Sequence, residues 1–258
     1  MTPAPADREP ITRLKNIIAR LRAPGGCPWD REQTHQSIKP QIIEECYEAV
    51  EAIDDADDAL LKEELGDVLL HLVFHAQLAA ERGAFTFDDV INGIADKLVF
   101  RHPHVFGENK LSDSGAVLRQ WDELKKQEKP ERTGALDGVA KSLPALLLAA
   151  EIQKKAAKVG FDWPDADGVL AKVREELGEL ERDLHDHQRA EEELGDLFFA
   201  LVNLARFLKI NPELAARAAT QKFKRRFEWM EQHAAAPLKG QSLSALDALW
   251  NQAKQALG

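Results

Sequence analysis

Apolar residues recur at intervals of three and four along almost the whole chain, the spacing that places them on one face of an α-helix. The first such stretch carries Ile11, Leu14, Ile17, Ile18 and Leu21. Similar patterns predict further helices over residues 40–53, 59–82, 87–100, 114–129, 144–159, 169–185, 190–210, 212–233 and 244–257. No segment alternates apolar and polar residues as a half-buried strand would. We therefore predict an all-α fold.

Clusters of Gly and Pro interrupt the helical pattern. Residues 23–30 (APGGCPWD) and 101–109 (RHPHVFGEN) are predicted to be loops between helices. The weakest periodicity lies between the two halves of the chain, where Pro and Gly occur without regular apolar spacing. We therefore predict two domains joined by a linker. Their bounds are 1–130 for the first domain, 131–143 for the linker and 144–258 for the second domain.

The second half of the chain repeats the first. Each half carries an ExxE pair on one predicted helix and an ExxD pair on the next, then a KxxxR pair and a WxxxK pair. The matched residues are Glu45 and Glu176, Glu48 and Glu179, Glu64 and Glu193, Asp67 and Asp196, Lys97 and Lys222, Arg101 and Arg226, Trp121 and Trp250, and Lys125 and Lys254. A chance likeness between acidic helices would not extend to basic and aromatic pairs. We interpret the halves as tandem copies of one helical module.

The four carboxylates of each half are predicted to meet at one point. Residues three apart share a face of a helix, so two adjacent antiparallel helices direct an ExxE and an ExxD pair at the same place. A single ExxE pair usually belongs to a solvated surface. Here the set occurs twice, and the helix after each ExxD is apolar on nearly all sides, which predicts that it is buried. Because buried carboxylates need a partner, we predict a metal site in each half.

The ligand type indicates which metal binds. Carboxylate oxygens favour Mg²⁺, with Mn²⁺ as a substitute. A di-iron bundle would require two Glu-x-x-His motifs, and the chain has this spacing only at Glu32 and His35. His71 and His75, on the first apolar helix, are interpreted as core histidines rather than ligands. Since Mg²⁺ held by carboxylates recruits substrate phosphates, the predicted substrate is a phosphate or pyrophosphate compound.

Basic and aromatic residues late in each half suit a nucleotide. Lys222 and Arg226 are one helical turn apart and can contact one phosphate chain. Trp250 can stack on a base, and Lys254 can contact a phosphate. Their counterparts in the first half are Lys97, Arg101, Trp121 and Lys125. The alternatives are an ordinary basic surface for the charged residues and a place in the core for the tryptophans.

Composition narrows the class of partner and compartment. The net charge of −10 argues against broad nucleic-acid binding, which needs a basic surface. The two cysteines, Cys27 and Cys46, lack the spacing of a zinc site, and the first residues lack the features of a secretory signal. The longest apolar run, near 143–150, is too short to cross a bilayer. We expect a cytoplasmic protein with no membrane and no nucleic-acid partner.

Several motifs together resemble the tandem-domain MazG nucleoside triphosphate pyrophosphohydrolases over nearly the whole chain. The first half contains GCPWDREQTH, EECYEAVEAI, EELGDVLLHLVFHA, RHPHVF and WDELKKQEK, and the second contains KKAAKVGFDW, EELGELE, EELGDLFFALVNLAR and KFKRRF. The resemblance implies that each half is a four-helix-bundle-like module and that the chain forms a homodimer. It also implies Mg²⁺-dependent hydrolysis of nucleoside triphosphates, NTPs and dNTPs, to the monophosphate and pyrophosphate.

The resemblance also assigns roles to individual residues, with the main activity in the second domain. It implies metal ligands at Glu176, Glu179, Glu193 and Asp196, and nucleotide contacts at Lys172, Lys222, Arg226 and Trp250. A second metal site is expected at Glu45, Glu48, Glu64 and Asp67, because the first set lacks none of its carboxylates. Glu175, beside the ligands, is the hypothetical general base.

Two alternatives share most of these residues. One is a non-catalytic helical module that senses nucleotides or binds a protein. The other is a house-cleaning enzyme selective for non-standard nucleotides.

Overall fold

The computed structural model describes residues 9–107, 113–128 and 134–258. Within these ranges the chain is helical and has no strand, which confirms the predicted all-α class. The chain divides into two compact units, Met1–Glu128 and Lys129–Gly258. The predicted domain bounds remain predictions, and residues 131–133 of the predicted linker lie outside the described ranges. None of the described helices combines the length and apolarity that a bilayer span requires.

Seven helices are described in the first unit and five in the second. Those of the first unit are α1 (Pro10–Arg22), α2 (Pro28–Glu32), α3 (Lys39–Asp54), α4 (Asp58–Glu81), α5 (Phe87–Arg101), α6 (Pro103–Phe106) and α7 (Ser114–Glu128). Those of the second unit are α8 (Ala145–Lys158), α9 (Ala166–Asp183), α10 (His187–Phe207), α11 (Pro212–His233) and α12 (Leu243–Leu257).

An aspartate cap starts the ExxD helix in each unit. The Asp57 side chain accepts hydrogen bonds from the backbone N–H groups of Ala59 and Leu60 at the start of α4. Asp186 caps α10 in the same way. Such caps satisfy N–H groups that have no partner inside the helix. The two ExxD pairs therefore lie at matching depths in their helices.

Helical hairpins form the centre of both units. In the first unit α3 packs against α4, which also contacts α1 and α5, and in the second α9 packs against α10, which also contacts α8 and α11. The first unit has a continuous core formed by buried apolar side chains. Its members are Ile18, Ile38, Val73, Phe74, Ala76, Leu78 and Phe87. The predicted burial of the apolar half of α4 is confirmed at Val73, Phe74, Ala76 and Leu78, whereas Leu72 is 45% exposed.

The corresponding prediction is wrong for α10. Phe198 and Phe199 on this helix are 52% and 46% exposed, and Leu201 is 43% exposed. Ala200 and Val202 are the buried residues of α10. A helix in a small bundle buries only the faces that its neighbours cover, so an apolar helix can keep an exposed stripe.

Two predicted loops contain short helices. Pro28 starts α2 inside the APGGCPWD segment, and Pro103 starts α6 inside RHPHVF. Proline is favoured at the first helical position, because its fixed φ suits the helix and its missing N–H would have no partner there. Reading each proline only as a helix breaker was therefore wrong at both places. Residues 108 and 109 of the second predicted loop lie outside the described ranges.

Candidate active site

The first hairpin brings three of the four predicted ligands together. Oxygens of Glu45, Glu48 and Glu64 all lie within 4.8 Å of one another. Glu45 and Glu48 come from α3, and Glu64 reaches them from α4. Glu64 is buried, with 9% of its surface exposed. Asp67 stands outside this close group, but its charge is near enough to help raise the pKa of Glu45.

The second hairpin assembles two overlapping carboxylate groups. Oxygens of Glu176, Glu193 and Asp196 lie within 4.8 Å of one another, and so do those of Glu175, Glu176 and Glu179. Glu176 is common to both groups and is 5% exposed. The structure thus brings all four predicted ligands together: Glu176 belongs to both groups, and the charge of Glu179 also acts on Glu193.

Burial and mutual repulsion raise the pKa of carboxyl groups in both units. Burial, followed by the charges of Glu48, Glu45 and Asp67, raises the pKa of Glu64. Burial and then the neighbouring acids, Glu179 foremost, likewise raise the pKa of Glu193. Both effects disfavour the ionised form, and a cation placed between the oxygens would remove the repulsion. Because every metal-binding atom in the carboxylate groups of both units is a carboxylate oxygen, their chemistry fits Mg²⁺.

His71 lies beside the first carboxylate group. Its Nε2 is 3.5 Å from Oε1 of Glu45, so the interpretation of His71 as a core residue missed its position at the site. The available signal was its spacing, one helical turn after Asp67. Ala200 occupies the matched position of α10, so this histidine distinguishes the two units.

The other histidine of α4, His75, forms a hydrogen bond with a second histidine of the first unit. His75 shares a hydrogen bond with His35, with 2.8 Å between their Nδ1 atoms. The rings are stacked with their planes 3° apart. Burial, and then the nearby His35 and His71, lower the pKa of His75, as expected for a histidine held neutral among other imidazoles.

Lys172 enters the second carboxylate group as a cation. Its Nζ lies 2.8 Å from Oε1 of Glu175 and 2.6 Å from Oε1 of Glu176. Hydrogen bonds to Glu175 and Glu176 raise the pKa of Lys172, so it remains an ammonium. The predicted phosphate contact and the predicted general base therefore touch each other beside the predicted metal ligands.

The basic and aromatic residues of the second unit are also brought together. The guanidinium carbon of Arg226 lies 5.8 Å from the centroid of the Trp250 ring, and the Phe223 ring lies 5.1 Å from the same centroid. Lys222 and Lys254 are exposed on the same two helices, α11 and α12. α11, which carries Lys222 and Arg226, contacts α10, the helix of Glu193 and Asp196.

A similar aromatic and basic group is present in the first unit. Arg101 lies 5.6 Å from the Trp121 ring centroid, and the Lys125 nitrogen lies 4.5 Å from it. Lys97 is half-buried on α5. In this unit Arg101 is also bound by Glu128, through contacts of 2.7 Å and 2.5 Å. The sequence reading missed Glu128, although it stands one turn after Lys125 on α7.

A family model matches each unit of the chain, and known proteins match most of its length. The model of the MazG nucleotide pyrophosphohydrolase domain matches residues 33–106 and again 166–230. A Thermotoga maritima protein named nucleoside triphosphate pyrophosphohydrolase/pyrophosphatase MazG is 50% identical over 93% of this chain and 94% of its own. The nucleoside triphosphate pyrophosphohydrolase of Escherichia coli K12 is 44% identical over 95% and 97%. An uncharacterised Bacillus subtilis protein, YabN, is 50% identical over 95% of this chain and 52% of its own length.

Proposed function

Since the chain belongs to the MazG family of nucleotide pyrophosphohydrolases, we propose that it hydrolyses nucleoside triphosphates to the monophosphate and pyrophosphate. The proposal covers NTPs and dNTPs and makes the reaction dependent on Mg²⁺. The observation that carries it is the convergence of Glu176, Glu193 and Asp196 within 4.8 Å, beside the helix that holds Arg226. A scaffold protein would have no need for a group of carboxylates that repel one another around the buried Glu176.

Glu176, Glu179, Glu193 and Asp196 are the residues that would hold the metal in the second unit. When bound, Mg²⁺ supplies charge neutralisation for the triphosphate and a lower pKa for the attacking water, and Mn²⁺ can replace it. Glu45, Glu48, Glu64 and Asp67 would hold a second ion in the first unit. We assign the main activity to the second unit, where Lys172 adds a positive charge that Gln41 cannot supply at the matched position.

The remaining residues of the second unit orient the substrate and move a proton. Glu175 accepts the proton of the attacking water as the water oxygen bonds to phosphorus. The bridging phosphoanhydride bond breaks, and its electron pair stays on the bridging oxygen of the departing group. Arg226 and Lys222 stabilise the negative charge that develops on the phosphates, and Lys254 contacts the phosphate chain. Trp250 stacks on the base.

The proposed partner is a second copy of the chain. Leu194, Phe198 and Leu201 on α10 are each more than 40% exposed. Their spacing of four and three residues aligns them on one face of the helix. An apolar stripe of this kind is typical of a surface that another protein covers.

A cytoplasmic location is proposed on the basis of Cys27 and Cys46, which are both free thiols, as is usual in a reducing compartment.

A substrate panel tests the proposed activity. Pyrophosphate release should be measured from each of the NTPs and dNTPs, with Mg²⁺, with Mn²⁺ and with a chelator. We expect release from all common triphosphates with either metal and none with the chelator. Release of inorganic phosphate instead, or turnover that persists in the chelator, would refute the proposed reaction. Activity confined to non-standard nucleotides would identify the house-cleaning alternative.

A further inference from the structure

The two arginines at matched positions of the repeat differ in the groups that bind them. Arg101 and Arg226 occupy equivalent positions of the repeat, each close to the ring of its matched tryptophan. In the first unit a side-chain carboxylate binds this arginine through two contacts, whereas in the second unit a single contact with Gly258 holds it. The difference lies outside the carboxylate groups, which both units retain, and it concerns the part of the site that would hold phosphate.

In the first unit Glu128 forms a paired contact with the guanidinium group. Arg101 Nε donates to Oε1 of Glu128 over 2.7 Å, and Nη2 donates to Oε2 over 2.5 Å. Both side chains are largely buried, with 14% and 19% of their surfaces exposed. Two parallel charge-assisted bonds are the geometry by which arginine also binds phosphate, so Glu128 occupies the positions that phosphate oxygens would take.

The surroundings of this pair retain capacity for a ligand. The indole Nε1–H of Trp121 is buried and has no hydrogen-bond acceptor among the described residues. A buried donor without an acceptor is unfavourable, so a group that brings an oxygen to this place would be stabilised. Lys125, 4.5 Å from the same ring, adds a positive charge.

In the second unit the equivalent arginine is held by fewer contacts. The position that matches Glu128, seven residues after the tryptophan, is Leu257. Arg226 makes a single contact, from Nη2 to an oxygen of the exposed last residue, Gly258, over 2.9 Å, and its buried Nε has no acceptor among the described residues. Arg226 can therefore accept a phosphate oxygen at Nε without first breaking a paired contact with a side-chain carboxylate.

We infer that Glu128 is an internal competitor for the phosphate position of the first unit, and that it makes this unit the weaker nucleotide site. The inference rests on the proposed function, because it assumes that the matched arginine of the second unit binds the triphosphate. It also explains how the first unit can keep a full set of metal-binding carboxylates and still contribute little turnover. Glu128 is a specificity-determining residue in this account, since it excludes an anion without touching the carboxylate group.

Binding of a triphosphate that cannot be cleaved tests the inference in the full chain. The probe is the α,β-methylene analogue of ATP with Mg²⁺, and calorimetry gives the number of sites and their affinities. The unsubstituted chain should bind one analogue tightly. Glu128→Gln, which keeps the shape and removes the charge, and Glu128→Leu, which introduces the residue of the second unit, should strengthen binding at the first unit at least tenfold. Adding Arg101→Ala to either variant should abolish that gain.

Matched controls separate the possible failures. Glu123→Gln removes an exposed carboxylate from the same helix and should leave binding unchanged. If both Glu128 variants keep their helical content but bind as the unsubstituted chain does, the inference is refuted. It is equally refuted if the unsubstituted chain already binds two analogues with equal affinity. If the unsubstituted chain binds none at all, the proposed function fails, and the inference falls with it.

Discussion

The Nζ atom of Lys172 lies 2.6 Å from Oε1 of Glu176, the buried carboxylate that both groups of the second unit share. The matched residue of the first unit is Gln41, which carries no charge and has a buried Oε1 without a hydrogen-bond donor among the described residues. The second site is therefore partly neutralised by its own lysine, whereas no lysine or arginine among the described residues pairs with a carboxylate of the first site. This difference bears on how each unit binds a cation before any nucleotide arrives.

Replacing Lys172 should separate metal binding from nucleotide binding. In Lys172→Gln, the second site should bind Mg²⁺ or Mn²⁺ about two- to fivefold more tightly without nucleotide, because a partly exposed ion pair of this kind contributes roughly 1 kcal/mol or less. The KM for triphosphate should rise in the same variant, since a phosphate contact is lost. Calorimetric titration with metal and steady-state kinetics measure the two effects. Lys172→Arg keeps the charge and should leave metal affinity unchanged; equal metal affinity in both variants would contradict the argument.

The carboxylates of the second unit should be essential for turnover. Glu193→Gln and Asp196→Asn are expected to lower kcat by more than about 100-fold, because even residues that only support metal ligands cost 10–100-fold. Helical content by circular dichroism should stay unchanged. The matched first-unit variant, Glu64→Gln, should retain most of the activity, and exposed Glu231→Gln serves as a general control. Full activity in the Glu193 and Asp196 variants would remove them from the site, and a large loss in Glu64→Gln would make the first unit catalytic.

Helical periodicity predicted most of the fold because it is a local property. The helix predicted over 212–233 is observed as Pro212–His233, and the others differ by a few residues at their ends. Local pattern also placed Glu45 near Glu48, since residues three apart share a helical face. Whether a neighbour covers an apolar side chain is not local, and Phe198 is exposed on a helix that was predicted to be buried.

Contacts between distant segments account for the parts of the site that sequence reasoning missed. Arg101 and Glu128 are 27 positions apart and meet only because α5 packs against α7. His71 reaches Glu45 across the α3–α4 hairpin. Neither pair leaves a periodic signal, because the loop between two helices sets their relative position and the helical repeat does not.

The carboxylate groups should give the metal-free protein an unusual pH dependence. The pKa of Glu193 is raised above its ordinary 4.5, so between that pH and the raised pKa the folded chain binds more protons than the unfolded chain. The contribution of Glu193 to the free energy of unfolding therefore falls as the pH rises through this interval and stays low above it. Without divalent cations, Glu193→Gln should melt at a higher temperature than the unsubstituted chain at pH 8, and the difference should vanish as the pH falls below 4.5.

Added Mg²⁺ completes that comparison. A cation that binds only the folded state stabilises the unsubstituted chain by mass action, and the glutamine variant has lost a ligand and should gain less. At pH 8 in saturating Mg²⁺ the unsubstituted chain should therefore melt at a higher temperature than Glu193→Gln, the reverse of the order without divalent cations. Melting curves by circular dichroism, with chelator and with Mg²⁺, measure both orders. An equal gain in the two proteins would mean that Glu193 does not contact the ion.

The exposed stripe of α10 should hold two copies of the chain together. Phe198 is 52% exposed at the centre of this stripe, between Leu194 and Leu201. Phe198→Glu places a charge in an apolar contact, which costs far more than the aromatic area it removes, and should convert the dimer to a monomer at micromolar concentration. Light scattering after size exclusion measures the mass. Leu243→Glu, at a site that is 75% exposed, is the matched control and should stay dimeric. A Phe198→Glu protein that keeps the dimer mass would exclude this stripe as the interface.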